Sequence, residues 1–139
     1  RKIYTTAAAN ESNANELADK LADIKEDGPK TLVAYKGAAI TLKSKFSKNI
    51  PDKIKLFKEG AKLVESAIAA EPKNVEIRMV RLSIQESVPA IVNYRMNKKE
   101  DIAFIINNYS ALEGSSKEYI KGFIQRSKSF SQSQKLSVK

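Results

Sequence analysis

The stretch Ala67–Arg78 reads AIAAEPKNVEIR. An alanine-rich helical ending runs into Glu71-Pro72-Lys73-Asn74, and a new apolar run starts at Val75. Proline lacks the N–H that a continuing helix needs and clashes with the preceding turn, so Pro72 ends the first helix. Asn74 offers a side-chain oxygen to the free N–H groups of a first turn, so a second helix is expected from Val75. A joint this tight points to two helices packed against each other.

Working outward, Asp52 to Ala70 is expected as the longest helix. Ile54, Phe57, Ala61, Val64 and Ile68 recur at helical spacing, and its lysines point elsewhere. Before it, Thr31 to Phe46 carries Leu32, Tyr35, Ala39, Leu42 and Phe46 in one stripe. Gly37, Ala38 and Ala39 thin its middle, so another helix can approach closely. Ser47 to Pro51 reads as the connection. An earlier helix carries Leu17, Leu21 and Ile24, opened by a capping box at Asn13-Ala-Asn-Glu16 and stopped by Asp27-Gly28-Pro29. Ile3, Tyr4 and Ala7 give a short first segment.

Beyond the joint, Val75 to Ser87 has Val75, Met79 and Leu82 on one side and Ile77, Val80 and Ile84 on another. A helix apolar over so wide an arc is buried between neighbours. Val88-Pro89 ends it, and Ala90 to Met96 is an irregular link. A second capping box, Asn97-Lys-Lys-Glu100, opens a helix expected to bury Ile102, Ile105, Ile106 and Tyr109. Gly114 breaks the chain, and a third box, Ser115-Ser-Lys-Glu118, leads into Tyr119, Phe123 and Ile124. From Ser127 the chain is Ser/Gln/Lys-rich and is expected to fray. Strand alternation is missing, so the fold class is all-α: a helical bundle, or a stack of antiparallel helix pairs, of about five or six helices. The expected organisation is a single domain over residues 1–126 and a flexible tail over 127–139.

Composition narrows the function. The 139 residues fit one domain with a core of its own. Cysteine is absent, which removes disulfides, thiolate nucleophiles and Cys metal sites. Histidine is absent too, removing the commonest proton-transfer group near neutral pH and the commonest zinc ligand. Glycine-rich phosphate loops, nucleophile elbows and metal-ligand clusters are missing from the sequence. No catalytic residue, cofactor or metal is therefore expected, although Glu, Asp, Lys, Tyr or Ser leave enzymatic chemistry open. No apolar run reaches the roughly 18 residues of a membrane span. The chain opens on Arg1 rather than Met, so an upstream segment, an export signal or otherwise, is expected to have been removed or left out.

The net charge is +9, unevenly spread. Lys30, Lys36, Lys43, Lys45, Lys48, Lys53, Lys55, Lys58 and Lys62 crowd one third of the chain, whereas Glu16, Asp19, Asp23, Glu26 and Asp27 collect early. One reading is attraction to nucleic acid, anionic lipid or an acidic partner. The other is a solvated lysine surface, favoured because the lysines lack an accompanying aromatic or arginine pattern.

One constellation stands out. Arg78, Arg81 and Gln85 lie at i, i+3 and i+7, on one face of an otherwise apolar helix. Two guanidiniums there can hold a carboxylate or phosphate through paired hydrogen bonds. Tyr94 and Arg95 follow that helix, and Tyr35 and Lys36 are candidates to face it. The structural reading is that the arginines pair with internal carboxylates such as Glu65, Glu76 or Glu86, as buried charges usually do. Glu26-Asp27 and Glu100-Asp101 read as solvated or helix-end charge, since neighbours on a helix diverge by about 100°.

The segment from Thr31 to Asn74 resembles a tetratricopeptide-type helical repeat. Gly37 with Ala38 is similar to the small pair of the repeat's first helix, Gly60 and Ala67 to the small positions of the second, and Ala70-Glu-Pro-Lys-Asn74 to the closing turn. The link between the helices is longer than the family's, so the match covers about one degenerate repeat. YKGAA (35–39), GAKLVESAIAAEPKNVEIR (60–78), VRLSIQESVP (80–89) and Asn93-Tyr94 together resemble an uncharacterised family of small, exported helical bacterial proteins. That resemblance implies an all-helical domain in the periplasm or outside the cell, with a cytoplasmic home still open, and it implies no activity. The expectation is a non-enzymatic protein- or peptide-binding scaffold, with two alternatives. One is an anionic small-ligand binder or enzyme on the Arg78/Arg81 stripe. The other is weak nucleic-acid or anionic-surface binding through the lysines.

Overall fold

The computed structural model describes residues 1–87 and 93–138, with Lys2 by its backbone alone. Among these residues the chain is all-α: α1 (Lys2–Ala7), α2 (Glu11–Lys20), α3 (Lys30–Lys45), α4 (Ile50–Ala70), α5 (Val75–Ser87), α6 (Lys98–Asn108), α7 (Gly114–Arg126) and α8 (Gln132–Ser137). A 3₁₀ turn, Tyr109–Ala111, extends α6. The number of helices exceeds the expected five or six because short α1 and α8 form where local periodicity is too brief to read. The expected stop at Val88-Pro89 and the link from 90 to 92 lie outside the described residues.

The chain divides into two compact units, Arg1–Lys73 and Asn74–Lys139, and the boundary falls within the Glu71–Asn74 joint. Asn74 caps α5 as the sequence implies, its Oδ1 accepting the Ile77 N–H at 3.1 Å. Asn49 does the same for α4, accepting from the Asp52 N–H at 3.2 Å. Pro51 therefore sits in the first turn of α4, where its missing N–H costs nothing, rather than in the connection.

The first unit is built around the α3–α4 pair. Gly37 and Gly60 face each other's backbones: a Cβ on Gly37 would lie 2.5 Å from the Gly60 carbonyl oxygen. Side-chain-free positions let the helices close to backbone contact, so the buried face of α3 follows Ala34, Gly37, Ala38, Thr41 and Ser44. Leu32, expected in the core stripe, is exposed at the edge instead. On the other side of α3, Tyr35 packs edge-to-face on Tyr4 of α1, with ring centroids 5.3 Å apart.

α2 also differs from expectation. Its N-cap is Asn10, which accepts from the Asn13 N–H at 2.8 Å, so Asn13 lies inside the helix rather than capping it. α2 stops at Lys20, well before Gly28, and Gly28 has no left-handed backbone. The turn after α2 is held from α3: Lys36 Nζ donates to the carbonyls of Ala22 (3.2 Å) and Ile24 (2.6 Å). A tertiary cap of this kind leaves no local sequence signal.

In the second unit α5 packs against α6 and α7. Val75, Ile77, Met79, Val80, Leu82 and Ile84 are all buried, as the wide apolar arc predicts. From the facing helices come Ile105, Tyr109, Ile120 and Ile124. α7 starts at Gly114, which has φ of +61°, and Glu113 rather than Ser115 is the N-cap. The segment expected to fray carries α8, opened by a Ser131–Gln134 capping box. Phe130 and Val138 are buried there, and Phe130 meets Phe123 edge-to-face at 6.2 Å.

Candidate functional site

The arginine stripe is placed by α5. The Asn74 cap fixes where the helix starts, and the three-then-four spacing puts Arg78, Arg81 and Gln85 on one face. Opposite them, α6 begins at Lys98, so its first turn carries Glu100 and Asp101. Carboxylates in that position complement the partial positive charge of a helix N-terminus.

The two helices meet through charge. Asp101 is completely buried, and its oxygens are both taken by Arg81: Nε donates to Oδ2 and Nη2 to Oδ1, each at 2.8 Å. Arg78 Nη1 donates to Asp101 Oδ1 at 3.1 Å and to Glu100 Oε1 at 2.9 Å. The Arg78 guanidinium also lies over the Phe104 ring, 4.7 Å from its centre. Two cations thus face two anions. Paired donation of this kind is the strong form of the Arg–carboxylate bond, and it offsets the desolvation of groups this deep. Glu100, more exposed than Asp101, has its carboxyl held below the usual value by the Arg78 hydrogen bond first and that from Asn97 second.

Internal carboxylates do meet the arginines, but they are Asp101 and Glu100, which are not among the partners named from the sequence. The reading of Glu100-Asp101 as a solvated pair is corrected for Asp101. The missed signal was register: Asp101 lies at i, i+4 and i+8 with Ile105 and Tyr109, so it shares the buried stripe of α6. An acid in register with an apolar stripe mirrors two arginines on an apolar helix.

Gln85 completes the stripe differently. It is 1 % exposed, and neither its Nε2 nor its Oε1 has a hydrogen-bond partner among the described residues. Of the other sequence candidates, Tyr94 is half-buried and Arg95 exposed, each with contacts of its own. Tyr35 and Lys36 belong to the first unit, where they serve the α1 and α2 contacts described above.

A second polar cluster escaped the sequence reading. Glu86, at the end of α5, accepts hydrogen bonds from the hydroxyls of Ser127 and Ser129, the latter at 2.6 Å. Ser127 Oγ in turn accepts from the Ser129 N–H at 3.0 Å. Gln125 Nε2 reaches the Lys135 carbonyl at 3.0 Å, so α8 is tied to α7 as well. These serines sit in what reads as a low-complexity run, which gives no hint of a partner at Glu86.

No group of three or more acidic residues among the described residues is arranged to hold a metal ion, and no described helix is long and apolar enough to cross a membrane. No protein-family model, curated protein or solved structure matches this chain.

Proposed function

We infer that this chain is a non-enzymatic scaffold that offers helical surfaces to a protein or peptide partner. The carrying observation is the internal use of its most chemical residues. Arg78 and Arg81, the side chains best suited to grip an anionic ligand, face Asp101 and Glu100 across the α5–α6 contact. Each guanidinium already donates to a carboxylate of α6, so a phosphate or carboxylate ligand would compete with an internal anion. A ligand would have to displace a fully buried aspartate, which makes the anionic-ligand or enzyme alternative the costlier one.

The lack of histidine and cysteine supports the same reading, as does the small-residue crossing at Gly37 and Gly60 within a degenerate repeat-like hairpin. Stacked helix pairs build extended binding surfaces out of exposed side chains. The envelope is the proposed location, on the resemblance to exported helical proteins.

The test is capture from cell extracts separated into envelope and cytoplasmic fractions. Saturable capture of a polypeptide that holds at moderate salt supports the reading. Binding of phosphate or a small carboxylate, lost in Arg81→Ala while the fold survives, overturns it in favour of the ligand site.

A further inference from the structure

The first unit carries two charged faces of opposite sign. On α4, Phe57, Gly60, Val64, Ala67 and Ile68 are buried, and Lys55, Lys58 and Lys62 are exposed. At about 100° per residue, the three lysines centre roughly 160° round the helix from the buried stripe. They therefore point away from α3, and none of them makes an ion pair among the described residues. On α2, Ala14 and Leu17 are buried, and Glu11, Glu16 and Asp19 are exposed. The three acids line a shallow open depression with Ser12, Asn15 and Lys20. Lys20 lies 3.9 Å from Glu16.

The faces are opposite in sign and similar in length. Three acids and one lysine leave the α2 face two charges negative, and three lysines with Glu59 and the half-buried Glu65 leave the α4 face one charge positive. At 1.5 Å per residue, Glu11 to Asp19 spans about 12 Å and Lys55 to Lys62 about 10.5 Å. α3 runs between them. Gly37 and Thr41 meet α4, while Tyr35 and Lys36 reach α1 and the turn after α2. Faces on opposite sides of one unit cannot close on each other within a chain.

We propose that a second copy of this chain seats its α2 depression on the α4 lysine face, head to tail. The contact uses two different patches, so it is heterologous and extends from copy to copy rather than closing as a two-fold dimer. Exposed ion pairs are individually weak, so the dissociation constant at low salt is roughly millimolar. Screening shortens to about 8 Å at physiological salt, so association is steeply salt-dependent. This goes beyond the scaffold role, which concerns an outside partner, and its failure leaves that role standing.

Sedimentation equilibrium at about 1 mM protein, in about 20 mM and about 300 mM salt, is the test. The expected result is a mass rising with concentration at low salt and a monomer at high salt. Lys55→Glu/Lys58→Glu/Lys62→Glu and Glu16→Lys/Asp19→Lys should each be monomeric, and an equimolar mixture should associate again. All five positions are exposed, so the variants keep the wild-type helical dichroism; Gln replacements serve should a reversal misfold. A wild type that stays monomeric at low salt overturns the proposal. So does association untouched by either variant, or a mixture that fails to recover it. A monomer that binds phosphatidylglycerol vesicles or duplex DNA through the same lysines assigns that face to a polyanion and equally overturns it.

Discussion

Replacing Asp101 by Asn keeps the side chain's shape and removes its charge. Asp101 accepts three hydrogen bonds from two guanidiniums, all at 3.1 Å or less, with its side chain fully buried and that of Arg81 97 % buried. Breaking a buried pair by removing one partner leaves an uncompensated charge and costs about 3–5 kcal/mol. Domains of this size have about 5–15 kcal/mol in total, so the substitution should remove a large share of the stability. The fall in Tm should be ~10–20 °C, the second unit being the part that melts early. Urea denaturation followed by circular dichroism reads the free energy, and thermal melts read Tm. The companion variant Arg81→Leu/Asp101→Leu removes both charges together, leaving Arg78 with Glu100, and should lie within about 1–2 kcal/mol of wild type. A loss below about 1 kcal/mol for Asp101→Asn would mean that the pair is effectively solvated. A double variant as damaged as the single one would refute the pairing argument in another way.

Three further outcomes follow from the same geometry. Gly37→Ala places a Cβ 2.5 Å from the Gly60 carbonyl and should cost about 1–3 kcal/mol or more, whereas Gly122→Ala meets only the flexible end of Arg126 and should be tolerated; urea midpoints compare the two. Glu100→Gln tests linkage. The folded-state pKa of Glu100 is depressed, so its contribution is present above the unfolded carboxylate value and is lost as pH falls through the folded one. The wild type should exceed Glu100→Gln in urea midpoint at neutral pH, by a small margin because the side chain is exposed, and the difference should vanish in acid. A gap that survives in acid contradicts the Arg78 pairing. Glu86→Ala removes the acceptor for Ser127 and Ser129, so limited proteolysis should cut residues 127–138 faster than in the wild type while α5 stays protected.

Local signals were legible and long-range ones were not. Asn74 and Pro72 set the start of α5 because a cap and a helix breaker act on their own neighbours. The buried arc of α5 and the thin middle of α3 at Gly37 were likewise readable from the residues, whereas Gly60 stood out only through the resemblance to a tetratricopeptide-type repeat. α2 ends earlier than its apolar spacing suggests, and the turn beyond it is held by Lys36, many residues later, reaching the carbonyls of Ala22 and Ile24. Leu32 was misplaced because backbone closeness at the glycines outweighs the size of a leucine in choosing the buried face. The arginines were recognised as needing partners, but Asp101 was passed over because it stands beside Glu100 and two lysines, in a segment that looks polar until the Ile105 and Tyr109 register is counted. The Glu86–Ser127–Ser129 link joins residues some forty positions apart through side chains with no distinctive pattern.

On the proposed scaffold role, the arginine cluster is architecture and recognition belongs to helical surfaces elsewhere. Capture from fractionated cell extract by wild type and by Arg81→Leu/Asp101→Leu, side by side and with folding verified by dichroism, tests this most directly. The predicted result is the same polypeptide retained to the same extent by both proteins. Loss of capture in the folded, charge-free variant would contradict it and return the arginines to a binding role.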